Sequence, residues 1–399
     1  MVTLFLTYEC PCSAGIGPQI RAAALIRMLA ARGQVHVAIV NRYRQMPGPC
    51  DSRADGGYAA MTYLRIPPDT GTAGHWLHAA NEVPYPDLPT VDCPPAGVPD
   101  FIAGYRWDHH IGQLFVFRME TLVFVQGCID LFPIRLLDLD ELPSRRDRAI
   151  AALKGAAPNP ADVRTRLTFQ VLERTLVPRF DRVFVASEAE AAEVRLQTAF
   201  RHPSVLPNIR PVKSTLPPPP ESGLREILFV GALSYFPNQD GVLWFCREVL
   251  PLLRQKLGDS LLFRIIGFGT APALDPIRDL PGVSLSGYQA DLAPFYARAA
   301  VAVVPLRAGV GTRLKILEAF AYLRPVVSTT IGAEGLEVTD HENILLADTA
   351  EAFAQACHSL IDQQALTRRI TEGASRLSQE LYSEEALLRR YDNIMSSGK

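Results

Sequence analysis

Neither sign of charge is in excess in this chain. Its 399 residues carry 40 Lys and Arg against 42 Asp and Glu, a formal net charge of −2. A basic surface of the kind that follows a nucleic-acid backbone is therefore not expected, and a phosphate pocket would have to be built locally. Long apolar runs are missing as well. Hydrophobic residues make up 48%, yet no stretch of about 18 is continuously apolar, so no membrane-spanning helix is expected. The opening "MVTLFLTYEC" lacks the basic start of a secretory leader and reads as a buried strand. The seven cysteines are scattered. Cys10 and Cys12 flank Pro11 with no second pair to complete a zinc spacing, and neither His75 with His78 nor His109 with His110 completes a ligand set. No metal is expected, and a cytoplasmic protein with reduced thiols is the simplest setting. Association with a membrane surface stays open.

What is present is a repeated grammar of strand, loop and helix. "TLFLTY" reads as a strand, followed by a glycine loop, an amphipathic helix ending at Gly33 and the strand "VHVAIV". This is the opening of a parallel, doubly wound α/β sheet. From about Pro47 to Pro99 the chain is rich in Pro and Gly, with one short strand, "MTYLRI". Order returns in the apolar segments "LFVFRME", "TLVFVQ" and "IRLLDLDEL", then a helix, the strand "DRVFVAS", another helix and the extended "VLPNI". Four consecutive prolines, Pro217 to Pro220, fit neither a helix interior nor a central strand. They place a linker at 211–224, after a first domain of 1–210. The grammar then restarts in a second α/β domain of 225–380, and residues 381–399 are expected to form a closing helix that packs back on the first domain. Two such domains in series leave a cleft, a preferred place for ligands.

Glycines recur after the strands of the second half: Gly231, Gly267, Gly269, Gly287, Gly309 and Gly311. Each alone fits an ordinary turn; together they suit close backbone approach to a ligand. None completes GxGxxG, so a nicotinamide fingerprint is absent. In "GVGTRLKILEAFAYL" a helix is expected from near Thr312, with Thr312 as N-cap. Its first amides and positive dipole end suit phosphate oxygens, and Arg313 and Lys315 add cationic reach. On spacing alone those two cations fit a solvated helix face equally well. Glu318 lies inside an apolar run, where a carboxylate needs a partner. Either a ribose's vicinal hydroxyls or a neighbouring cation such as Lys315 would serve.

"ILFVGALSYFPNQDGVLWF", "FRIIGFG" and the stretch from "VSLSGYQADL" to "TTIGAEGL" stand in an order that strongly resembles the retaining glycosyltransferases of GT-B fold, family 4 type, over about 170 residues. The first half is similar more loosely, through the Gly15–Arg21 loop, "FVFRME", "LLDLDEL", "DRVFVASEAE" and "LPN". The resemblance implies two Rossmann-like domains facing a cleft, and transfer of a sugar from a nucleoside-diphosphate sugar, UDP- or GDP-linked, to a hydroxyl of a sugar, lipid-linked sugar or small molecule. It implies no cofactor and no catalytic metal; the one "DLD", at 138–140, lies away from the expected donor seat. It casts Arg313 and Lys315 as the groups that stabilise the leaving diphosphate. Gly17, Gly231, Asn238, Gly267, Tyr288, Gln289, Gly311, Thr312, Leu314 and Glu318 become donor contacts, with Gly15, Arg118 and Asp140 on the acceptor side. Glu318 matches the second glutamate of the family's E-x7-E motif; the first would fall at Val310, a departure. The loop "GALSYFPNQDG" also lacks the family's usual Arg and Lys. A branch of the family with "GTRLKILEA" and "SYxPN" shares that pattern.

The residues alone leave alternatives. Asp138, Asp140 and Glu141 suit an acceptor contact or a solvated cap, and Arg118 suits an acceptor contact or a buried salt bridge. An epimerase acting on sugar nucleotides, or a non-catalytic binding protein descended from a transferase, would use the same scaffold.

Overall fold

The computed structural model describes residues 1–11, 17–41, 58–65, 90–92, 97–122, 124–155, 160–210, 225–269, 272–309, 311 and 313–397. Counts below refer to these residues. They form two compact units, Met1–Arg148 with Ala157–Leu206 and Tyr391–Lys399, and Ala149–Ala156 with Pro207–Arg390. Residues 207–210, read above as the end of the first domain, thus group with the second unit. Of the closing segment, residues up to Arg390 do the same, and those from Tyr391 belong to the first unit. The expected linker at 211–224 lies outside the described residues.

In the first unit the strands are β1 (Val2–Thr7), β2 (Gln34–Asn41), β3 (Ala60–Arg65), β4 (Thr90–Asp92), β5 (Gln113–Phe117), β6 (Ile134–Asp138), β7 (Arg182–Val185) and β8 (Ser204–Val205). They make one parallel sheet in the order β4-β3-β2-β1-β5-β6-β7-β8. A parallel sheet is covered on both faces, which is why its strands read as nearly continuous apolar runs. Leu4, Leu6, Leu114, Val116 and Leu137 face one buried core. Phe5 stacks on Phe115 of the adjacent strand at 5.1 Å, and Phe115 stacks on Phe184 of β7, beyond β6, at 6.0 Å. The Tyr391 ring lies 6.1 Å from Phe184, and Asp392 pairs with Arg32, so the end of the chain is built into this unit. Among the apolar segments at 114–142, only the first and last supply strands; Met119–Leu122 is a helical turn followed by further turns.

The second unit repeats the plan with β9 (Arg225–Val230), β10 (Leu261–Ile266), β11 (Val283–Leu285), β12 (Ala299–Val304), β13 (Val326–Ser328) and β14 (Leu345–Leu346). The parallel order is β11-β10-β9-β12-β13-β14. Strand alternation splits the core in two. Ile227, Phe229, Phe263, Val301 and Val303 pack with Phe245 and Phe353, while Leu228, Val304 and Tyr296 pack with Ile316 and Phe320 of the helix Leu314–Ala321. No described helix is long and apolar enough to cross a membrane.

Each sheet reverses its winding once, between β1 and β5 in the first unit and between β9 and β12 in the second. At such a reversal, loops leave in opposite directions and open a crevice beyond the strand ends, where ligands of parallel α/β sheets bind. The chemistry-bearing residues of both units gather at these two places.

Candidate functional site

At the end of β9 the chain turns at Gly231, whose N–H donates to the Ile266 carbonyl at 2.9 Å. Gly267 ends β10 so close that a Cβ there would lie 1.8 Å from the Gly231 oxygen. Only glycine fits at that point. A Cβ at Gly231 would meet Asn238 Nδ2 at 2.9 Å and Lys315 Nζ at 3.0 Å. Asn238 begins its work one loop later, in the first turn of the helix Phe236–Trp244. Its Nδ2 donates to the Ala232 carbonyl at 2.7 Å, and its Oδ1 accepts from Lys315 Nζ at 2.6 Å. The Lys315 ammonium also lies 4.5 Å above the Phe229 ring. Gly231, Asn238 and Lys315 therefore come together in one nest at the β9 end, with Phe229 as its floor. Burial, with Arg313 close by, pushes the Lys315 ammonium down to about 7, and Glu318 works in the opposite direction.

The helix starts at Leu314, later than the sequence suggests, and Arg313 stands at the N-cap place without capping through its side chain. This corrects the expected N-cap; Thr312 itself, like Val310 and Gly15, lies outside the described residues. Arg313 is 7% exposed, and its guanidinium packs against Gly309, where a Cβ would lie 2.9 Å from Nη2. Gly309 has φ 129°, a backbone closed to most side chains, and Gly311 follows with φ 80°. The loop after β12 thus sets Gly309 directly against the Arg313 guanidinium. Leu314 is partly buried against the neighbouring core. The third cation of this stretch, Arg307, is already engaged, with Nε and Nη2 on the two Asp240 oxygens at 2.9 and 2.6 Å.

Glu318 has two partners, and Lys315 is not its ion-pair partner. Its Oε1 accepts from Arg210 Nη2 at 2.6 Å, and the buried Tyr296 phenol lies beside the same carboxylate, whose negative charge helps raise its pKa. Of the two open readings, the structure shows a cation beside Glu318, but one 108 positions away in sequence. Tyr288 and Gln289 follow Gly287 beyond β11; the Tyr288 ring is 40% exposed, and Gln289 Nε2 donates to the Ser286 carbonyl at 2.8 Å.

The first unit carries a different constellation at its own reversal. Gly17 is the first residue of the helix Gly17–Ala30, which holds Arg21. Arg21 is buried and grips both Asp138 oxygens, at 2.8 and 2.6 Å. Asp138 is fully buried, so the solvated-cap reading fails for it. Arg118, just past β5, lies 3.2 Å from Glu141, 3.5 Å from Glu120 and 3.8 Å from Asp140, and Arg146 approaches Glu141 at 2.9 Å. Arg118 and Asp140 have φ of 71° and 57°, which non-glycine residues seldom adopt. Burial pushes the Glu9 carboxyl up to about 7 and that of Asp140 up to about 6, in both cases against the pull of Arg118. Arg118 and Asp140 thus belong to one buried charge cluster, with Nη1 and Oδ2 3.8 Å apart. Among the described residues no group of three or more His, Cys, Asp or Glu has metal-holding geometry.

Residues 225–363 match the family model described as glycosyl transferases group 1. A Klebsiella pneumoniae protein described as an uncharacterized 44.6 kDa protein in the cps region is 28% identical over 137 residues. That match spans 32% of this chain and 35% of the relative, about a third of its length. Among solved structures, sucrose-phosphate synthase from Thermosynechococcus elongatus superposes with a TM-score of 0.68 at 19% identity, covering 100% of this chain and 99% of that one. HepE of Anabaena, solved in complex with UDP, gives 0.66 at 13% identity with full coverage of both chains. The fold is GT-B, two parallel-sheet α/β units with their helices. The match to glycosyl transferases group 1 lies within the second unit.

Sequence reasoning missed Arg210, Tyr296 and Phe229 in the second unit, and Glu9 in the first. Arg210 directly precedes the proline-rich stretch and Tyr296 sits in the short helix Ala293–Arg298. No periodicity links either to Glu318, so no signal in the sequence could have found them.

Proposed function

We propose that this protein is a glycosyltransferase that moves a sugar from a nucleoside-diphosphate sugar to a hydroxyl acceptor with retention of anomeric configuration. The observation that carries the reading is the nest of Lys315, Asn238 and Gly231 at the β9 end, in a domain matching glycosyl transferases group 1. As the sugar–phosphate bond breaks, negative charge grows on the departing diphosphate. Preorganised cations and helix-end amides stabilise that charge more than they stabilise the bound donor, which is what accelerates the step. Arg313 supplies a fork suited to two phosphate oxygens and Lys315 a point charge. In this reading they do the work that a divalent ion does elsewhere, and no resident cofactor is required. Glu318 takes the ribose hydroxyls. Tyr288 and Gln289 lie against the base, which is uracil or guanine. Arg118 and Asp140 contact the acceptor, a sugar, lipid-linked sugar or small molecule.

The test is a thermal-shift screen of nucleotides and sugar nucleotides with chelator present, followed by transfer assays on the donors that bind. A ligand that binds only the native state raises the melting temperature by mass action. Transfer to a hydroxyl with the anomeric configuration kept supports the reading. A changed sugar with no acceptor present would make the protein an epimerase, and nucleotide binding with no turnover of any donor would make it a binding protein.

A further inference from the structure

The Glu318 carboxylate sits in an apolar stretch of its helix, with Leu317, Ala319 and Phe320 buried around it and its own side chain 13% exposed. An ionised group in such a place needs firm partners. It has Arg210, on the segment after β8, and beside it the phenol of Tyr296, on the helix Ala293–Arg298. Arg210 donates from Nη2 at 2.6 Å, and its own backbone N–H donates to the Tyr382 carbonyl at 3.2 Å. Tyr296 is 1% exposed, and its ring stacks on Tyr322 at 4.5 Å with planes 8° apart. Burial, then the negative Glu318, holds the Tyr296 phenol well above its ordinary pKa, so its hydroxyl stays a donor. A carboxylate has about four acceptor positions. The Arg210 guanidinium and the buried Tyr296 phenol, on two separate elements, hold it in place and leave acceptor capacity for a pair of hydroxyls.

We infer that Arg210 and Tyr296 are positioning residues that aim the Glu318 carboxylate at the vicinal hydroxyls of the donor's ribose. This rests on the donor seat proposed above. A partly buried ion pair contributes little to net stability once desolvation is counted, whereas a carboxylate locked in one orientation loses no rotamer freedom when it meets two hydroxyls. The consequence is specific: losing Arg210 should blunt the distinction between a ribose and a 2′-deoxyribose, beyond any general weakening.

The experiment measures binding of UDP and GDP and of their 2′-deoxy counterparts by calorimetry. The proteins are the full chain and its Arg210→Ala, Arg210→Lys and Tyr296→Phe variants, each checked by melting temperature. Wild type is expected to prefer the ribonucleotide by about tenfold or more, the scale of one charged hydrogen bond. Arg210→Ala should bring that ratio toward one, Arg210→Lys should restore part of it, and Tyr296→Phe, which keeps the ring stack, should reduce it. If wild type discriminates and both Arg210→Ala and Tyr296→Phe discriminate as strongly, the positioning role is overturned while the donor seat stands. Should Arg210→Ala fail to fold, Tyr296→Phe and Arg210→Lys decide the matter by the same ratio. A wild type that binds neither nucleotide, or binds both sugars equally, removes the ribose contact itself and this inference with it.

Discussion

Lys315 offers the sharpest test of the donor seat, because its charge is set by where it sits. Its ammonium lies over the Phe229 ring and against Asn238, with Gly231 leaving no space for further side chain. Burial and the neighbouring Arg313 lower its pKa from 10.5 to about 7. A diphosphate bound beside it would favour the charged form and raise the pKa well above that value. The sign follows. The free protein holds fewer protons than the complex above pH 7, so binding takes up a proton there and affinity falls as pH rises. If the bound pKa lies above about 9, affinity should drop roughly 25-fold between pH 6.5 and 8.5, about 1.9 kcal/mol. The terminal phosphate, with a pKa near 6, titrates too low to produce this slope above pH 7. Calorimetry with UDP or GDP in two buffers of different ionisation enthalpy should find uptake of about 0.9 proton at pH 8. Lys315→Arg, whose guanidinium stays charged, should flatten the slope. An affinity that stays level from pH 6.5 to 8.5 with no proton uptake would sink the assignment of Lys315 to the diphosphate.

Further outcomes follow from the same geometry. Glu318→Ala should weaken nucleoside-diphosphate binding by about 1.5–3 kcal/mol through loss of a charged hydrogen bond; unchanged affinity in a folded variant would take Glu318 out of the site. Arg313→Ala and Lys315→Ala should each lower turnover about ten- to a thousandfold with chelator present, more than they raise KM. Arg307→Ala should be milder, because that guanidinium is already held by Asp240; equal losses in all three would contradict the assignment. In the first unit, Glu9 is 8% exposed, with its pKa raised from 4.5 to about 7. A raised carboxyl makes the folded state hold its proton more tightly, so stability should fall as pH rises between those values and level off above. Asp140 and Glu190 contribute in the same direction. Glu9→Gln should make the loss of melting temperature between pH 5 and 8 shallower, and an unchanged pH profile would argue against a buried Glu9.

The strand-and-helix grammar, the two α/β halves and the restart near β9 were legible in the sequence. Both faces of a parallel sheet are buried, and that leaves apolar runs punctuated by glycines at strand ends. The "GTRLKILEA" stretch declared its cations and its lone carboxylate for the same local reason: a charged residue inside an apolar helix stands out in one dimension. The helix start was misplaced because Arg313, which reads as the first turn, is drawn into the loop and packs against Gly309. What only tertiary structure decided is who holds whom. Lys315 finds Asn238 across 77 positions, Glu318 finds Arg210 across 108, and Arg21 finds Asp138 across 117. Side-chain partnerships of that range depend on strand order, on where the sheet reverses its winding and on close backbone approach, as at Gly267. A sequence fixes period and propensity between near neighbours; the pairing of distant ions is settled only when two strand ends close on the same crevice.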